Sequence, residues 1–449
     1  MTNNNSMTPD RLAELVTSTT KAGADHADAV YFEGKSTAVS WRLGKLEDME
    51  RSENSDLGLR VIIGKKQAIV SSSDMADRTL DELVERAINM AKNTPEDPYS
   101  GLADKTLLAL DDIPDLDLCD EYELDEESLK NIAAEAEAHA LGKKGITNSE
   151  GANTSVSKGN ITLANSDGFV GHYSSSNFGC SISLIAGEGT RMERDYAWSS
   201  RRHYEDMDSP YKIAEEAVDR TLKKLNPRKV KSCEIPVVYD PRVSRSLIGH
   251  LASAVNGAAI ARGTSFLLEM MEKQIFPKNI NIIDHPHILR GPSSRPFDGE
   301  GVKNAPLDII RDGILKNWIL DSSSARQLKL TSNGRASRGT SSPPSPSTSN
   351  LYLEAGSVSV KDLISDIKQG FYVTEMIGSS VNGITGDYSR GASGFWIENG
   401  ELSYPVNEIT VAGNLKDMYM NMTAADDLEI KYGTDAPTVR INKMMLAGS

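Results

Sequence analysis

The chain has 449 residues, more than a single hydrophobic core normally absorbs, so two or more domains are expected. Apolar residues make up 39% and charged residues 25%, an ordinary globular composition, and no run approaches the roughly 20 apolar residues of a bilayer span. A net charge of −15 repels phosphate backbones, so neither nucleic acid nor membrane is an expected partner.

The chain opens MTNNNSMTPDRL, without a basic start or an apolar core, and the cytoplasm is the expected compartment. Thr8 as N-cap and Pro9 at the first helical position announce a helix. Leu12, Leu15 and Val16 give it one apolar face, and Gly23 stops it. Strand-like stretches follow at Ala29–Phe32, Thr37–Leu43 and Leu57–Ile63, the last turning at Gly64-Lys65 into Gln67–Ser71. A second helix is expected over Asp77–Lys92. An acidic connection, Asp111–Glu127, leads into a third at Glu127–Leu141. Strands at Ser155–Leu163, Val170–Ser174 and Cys180–Ile185 and a helix at Pro210–Leu225 complete this half.

The order helix, strands, helix thus occurs twice, which predicts two related units at about 8–105 and 120–228 within an N-terminal α+β region, 1–228. Beyond Asn226-Pro227-Arg228 the texture changes to short apolar runs and glycines. A β-rich C-terminal domain, 229–449, is expected, and the fold class is α+β. Its strongest helix reads Arg242–Ala261, with Val243, Leu247, Leu251, Val255 and Ala259 stepping by four. Small residues there, including Ala254 and Gly257, predict close approach of another element. The Ser341–Ser347 stretch, with three prolines, reads as an irregular surface loop closed to helix and ladder pairing.

No GxGxxG after a strand, GxxxxGK[ST], GxSxG or HExxH is present, so the familiar nucleotide, hydrolase and zincin signatures are excluded. The three cysteines, Cys119, Cys180 and Cys233, form neither a CxxC pair nor a disulfide framework. His285 and His287 flank Pro286 at an expected strand end or turn. His250 sits beside the apolar stripe of its helix, a packing histidine or an acid/base group. Asp298 and Glu300, in RPFDGEG, read as a turn that bonds its own backbone or as carboxylates able to take a cation or amine. In Val381–Tyr404, glycines are interleaved with aromatics. Gly386, Asp387, Tyr388, Ser389, Gly391, Gly394 and Trp396 are candidates for an edge strand that binds an extended peptide, or for a tight hairpin with an aromatic core.

GLRVIIGKKQA (58–68), GHLASAVNG (249–257), ARGTSFL (261–267), RPFDGEG (295–301), SSARQL (323–328), TSNGRASRG (331–339), TGDYSRGASGFWIENGE (385–401) and PVNEITVAGNL (405–415) occur in that order along the chain. As a set they resemble the PmbA/TldE side of the TldD/TldE peptidase family. The resemblance implies a cytoplasmic two-subunit metallopeptidase acting on unfolded or extended peptides, with a TldD-type catalytic partner. The family's other name, modulator of DNA gyrase, then reflects indirect effects. TldD-type subunits carry a His-Glu-x-x-x-His helix and a distal cysteine around a water-activating zinc.

On that resemblance the first-His, Glu and second-His slots fall on Ile248, Gly249 and Ser253, and no cysteine follows Cys233. The implied role is that of the non-catalytic subunit of a heterodimer, with no metal or other cofactor of its own and the zinc in the partner. Such a subunit would position peptide in a chamber between pseudo-symmetric partners. A homodimer of the isolated chain stays open. So do an autonomous peptidase built from His250, His285, His287, Asp298 or Glu300, and a regulatory scaffold that never touches substrate.

Overall fold

The computed structural model describes residues 7–378 and 380–448. Thr8 caps α1 (Pro9–Lys21) by accepting from the Arg11 amide. The chain then forms β1 (His26–Arg42), β2 (Lys45–Ile63), β3 (Lys66–Ser72) and α2 (Asp77–Asn93). The pattern recurs as α3 (Glu126–Leu141), β4 (Ile146–Asn165), β5 (Val170–Ala186), β6 (Glu193–Arg201) and α4 (Pro210–Lys223). All six strands lie in one antiparallel sheet of order β3-β2-β1-β4-β5-β6, so the β1–β4 ladder fuses the two helix–strands–helix units. Leu12, Leu15 and Val16 of α1 and Leu80, Leu83 and Ala87 of α2 bury one half of the sheet. The alanine face of α3 (Ala133, Ala136, Ala140) and Ile213, Ala214 and Ala217 of α4 bury the other.

Two departures from the sequence reading have physical causes. The stretches Ala29–Phe32 and Thr37–Leu43 belong to one 17-residue strand, because Glu33–Ser36 is solvated on both faces and shows no apolar alternation. Strand β6 was not anticipated. Its buried positions are Asp195, Ala197 and Ser199, whereas Tyr196 and Trp198 point outward, so the usual hydrophobic pattern is inverted.

The C-terminal part begins with β7 (Cys233–Tyr239), α5 (Pro241–Ala254) and α6 (Gly257–Ala261). There follow β8 (Ile282–Asp284), β9 (Leu307–Arg311), β10 (Ile314–Leu315), α7 (Ser322–Leu328), β11 (Ala336–Ser337), β12 (Ser345–Pro346) and β13 (Leu351–Leu353). The chain ends with α8 (Val360–Ser365), β14 (Gln369–Ile377), β15 (Asp387–Glu398), β16 (Glu401–Asn414), α9 (Leu415–Met420), β17 (Met422–Ala424), β18 (Thr434–Asp435) and β19 (Val439–Ala447). Strands β7, β14, β15, β16 and β19 close into a ring: β7–β14 is parallel, the other ladders are antiparallel, and β16–β19 shuts it through Thr410–Ala412. Closure removes free edges. A smaller sheet, β10-β9-β8-β13-β18, lies in the same core with α5 between the two.

The expected single helix Arg242–Ala261 is broken. The Asn256 side chain caps α6 by accepting from the Ala258 amide (3.0 Å), while its Nδ2 donates to the Pro346 carbonyl (2.9 Å). A Cβ on Gly257 would sit 2.7 Å from the Ile319 carbonyl, the close approach that the small residues predicted. The Ser/Pro segment is also more ordered than expected. Ser345–Pro346 pairs with Ala336–Ser337 in a two-residue ladder, in which Ser347 donates its amide to the Arg335 carbonyl (2.7 Å).

Candidate functional site

Helix α5 starts where Asp240 caps the Arg242 amide (3.0 Å) and Pro241 takes the first helical position. Val243, Leu247, Ile248 and Leu251 enter the core, so Ile248 has no exposed surface. Gly249 and Ser253, one turn apart, lie on a different face. Ser253 is exposed and its hydroxyl donates back to the Gly249 carbonyl (3.1 Å), and a Cβ added at Gly249 would meet no atom within 4 Å. The three slots therefore offer a buried hydrocarbon, a bare backbone and a self-satisfied hydroxyl. They do not fit a zinc ion, which takes imidazole, thiolate or carboxylate donors. Among the described residues, no group of three or more His, Cys, Asp or Glu is arranged to hold a metal.

His250, next on α5, leans over β15. Its ring meets Tyr388 edge-on at 6.1 Å, and its buried Nε2 has no hydrogen-bond partner. Burial, then the charge of Arg390, pulls its pKa below the ordinary imidazole value, so it is neutral at physiological pH. The structure thus brings two sequence candidates, His250 and Tyr388, together beside Arg390.

The edge-strand reading of the Val381–Tyr404 segment is corrected. Strand β15 is paired with β14 on one side and β16 on the other, and Val381–Tyr388 bridges its free start. Among the described residues, no row of β15 amides is left for a peptide to pair with. The cause is the hairpin at Asn399-Gly400, which folds β16 back to close the barrel. Tyr388 and Trp396 are core residues, 2% and 6% exposed, and Gly394 packs against the Tyr372 carbonyl where no side chain fits. Gly386 turns with φ +85°, and Gly391 sits beside Ile377. Asp387 and Ser389 are exposed. Hydrogen bonds from Thr385 and Asn414 hold Asp387 below the usual carboxylate range.

Asp298 and Glu300 form a second locus, beneath α7. Asp298 is buried and accepts from the Glu300, Val302 and Ala336 amides (all 2.9 Å), so its oxygens organise the turn. Glu300 Oε2 accepts from the Ser322 amide (2.8 Å). Burial, then the charge of Asp298, lifts Glu300 to about 7 despite nearby Arg60. His285 Nδ1 accepts from the His287 amide (3.2 Å) in the turn after β8, and His287 Nε2 bonds Asn304 Oδ1 (2.6 Å).

Sequence reading missed the cations around this locus. Asp28 on β1 is buried between Arg60 on β2 and Arg338 beyond β11, and pairs with both. Burial pushes the Asp28 carboxyl upward, but the two guanidiniums outweigh it and hold it below the ordinary range. Arg326 on α7 donates to the carbonyls of Tyr99 (2.8 Å), Gly101 (2.9 Å) and Leu102 (2.9 Å), tying the C-terminal part to the N-terminal sheet.

A six-stranded sheet carrying four helices, joined to a closed barrel whose leading helix bears the slots, is the architecture of a metallopeptidase domain set. PmbA/TldA metallopeptidase domain 1 matches residues 27–91, the central domain 119–225 and the C-terminal domain 232–448. The chain is 39% identical to Metalloprotease PmbA of Escherichia coli O157:H7, over 95% of this chain and 93% of that one. It is 36% identical to the Metalloprotease PmbA homolog of Haemophilus influenzae, over 96% and 94%. A Bacteroides thetaiotaomicron crystal structure, named as a candidate modulator of DNA gyrase, superposes with TM-score 0.90 at 25% identity, covering 98% of this chain and 99% of that one. TldE from Thermococcus kodakarensis shares the fold, with TM-score 0.81 at 20% identity over 97% and 99%. The chain belongs to the PmbA/TldD metallopeptidase family.

Proposed function

We propose that this chain is the non-catalytic subunit of a cytoplasmic heteromeric metallopeptidase, pairing with a TldD-type subunit that holds the zinc and cuts unfolded or extended peptides. The observation that carries this reading is the donor-poor, open face of α5. Where hydrolysis needs imidazole and carboxylate, the chain places Gly249 and Ser253 against open space and keeps His250 neutral under Tyr388. An open helix face without chemistry of its own suits a chamber wall that orients substrate beside a metal held by another subunit. Because β15 is fully paired, the surface that would hold peptide is this helix face with the exposed Asp387 and Ser389, rather than an added strand.

Gly249→Trp tests the positioning role, since the position has room for a side chain. In the reconstituted complex the variant should leave assembly mass and zinc content unchanged while peptide cleavage falls by about tenfold or more. Cleavage at the unmutated rate with the complex intact would contradict it.

A further inference from the structure

Of the clefts between the N-terminal sheet and the C-terminal part, two differ in how their polar groups are partnered. The larger, about 490 Å³, is lined by Asp195, Lys224 and Arg242. Lys224 binds Asp195 (2.9 Å) and Glu375 (2.7 Å), and Arg242 binds Asp195 (3.1 Å), so these charges are spent on one another, and the Thr374 hydroxyl is the one buried orphan on the lining of this cleft among the described residues. The smaller cavity, about 230 Å³, lies between β2–β3, α6 and α7, with Pro343–Pro346 along one wall. Its polar groups are not all satisfied. Ser100 is 4% exposed and its hydroxyl has no partner, and Gln67 Oε1 is buried without a donor. Arg262, at the exposed rim, has no ion pair or side-chain hydrogen bond among the described residues.

Buried polar groups are normally paired, because each orphan costs its desolvation. Two orphans in the lining of one cavity therefore point to a ligand. The available partners are of two kinds. Arg262 is a free guanidinium suited to a carboxylate. Glu300 and Gln67 Oε1 are acceptors suited to an ammonium, and the Ser100 hydroxyl serves either. The volume is below the roughly 300–1,000 Å³ of drug-sized ligand pockets, which favours one or two residues over a longer peptide.

We propose that this interdomain cavity binds a free amino acid or a dipeptide as its zwitterion, with Arg262 holding the carboxylate at the mouth and Glu300 and Gln67 receiving the ammonium inside. Because the cavity is walled by both parts of the chain, an occupant joins them and stabilises the folded state by mass action. The inference concerns the isolated chain and does not depend on the peptidase partner.

The test is calorimetric titration and thermal unfolding of the full chain with L-alanine, Ala-Ala, N-acetyl-Ala-Ala and Ala-Ala amide. At least one of the two zwitterions should bind and raise the unfolding midpoint, while both capped forms fail. Arg262→Ala, at an exposed and unpaired position that leaves the fold intact, should weaken zwitterion binding at least about tenfold. Binding retained by either capped peptide, an unchanged affinity in Arg262→Ala, or no response to either zwitterion at millimolar concentration would overturn the proposal.

Discussion

Helix α5 and the interdomain locus around Asp28, Asp298 and Glu300 treat polar groups in opposite ways. On α5 the positions that the family resemblance implies as ligand slots carry groups that make almost no demand: Ile248 is buried in hydrocarbon, and Gly249 and Ser253 look outward. Between the two parts of the chain, acidic and basic groups are withdrawn from water and held by backbone amides, carbonyls and one another. The difference shows where the chain commits electrostatic energy. Among the described residues it goes into fixing the N-terminal sheet against the barrel.

The contrast can be broken most forcefully at Asp28. Asp28→Asn leaves Arg60 and Arg338 buried without their counter-charge, and stability to urea should fall by about 3–5 kcal/mol. A change near zero would mean that the locus is not energetically dry.

The next effect is a pH dependence. Glu300 is lifted from its ordinary 4.5 to about 7, so the folded state favours its protonated form. Its stabilising contribution is complete below the ordinary value and is lost as pH rises through about 7. Arg60 opposes this and Asp321 and Asp298 reinforce it. Glu300→Gln should be more stable than the unmutated chain above neutral pH, by an amount on the order of a few kcal/mol. Parallel denaturation curves for the two proteins from acid to alkaline pH would contradict the assignment.

Gly58→Ala should cost about 1–3 kcal/mol, because a Cβ on this strand residue would collide with the Thr340 backbone where the loop after Arg338 crosses the sheet. Gly249→Ala runs the other way. With empty space at its Cβ and a helical position, it should raise the unfolding free energy by about 0.5–1 kcal/mol, measurable by thermal denaturation.

Legibility in the sequence followed the range of the forces involved. Helix α1 was readable because its cap, first proline and apolar spacing are all local. The α5–α6 break was not. Asn256 lies within an apolar repeat and caps only because Ile319 and Pro346 arrive from distant segments. The glycine-rich β15 announced unusual packing correctly. Whether that packing meant a docking edge or a closed barrel depended on ladders with β14 and β16 that no local pattern encodes. Least legible was the charge locus: Asp28 and Arg338 stand 310 positions apart, and each alone reads as a surface residue. Asp298 and Glu300 could be singled out by their glycine-flanked turn, but their burial could not.

The measurement that bears most directly on the account is zinc content and peptide cleavage for this chain alone, for a TldD-type subunit alone, and for their mixture. The account predicts a heteromeric complex that carries its zinc on the TldD-type subunit and cleaves faster than either component, with the isolated chain inert and free of stoichiometric zinc. Tight, stoichiometric zinc together with hydrolysis in the isolated chain would contradict it.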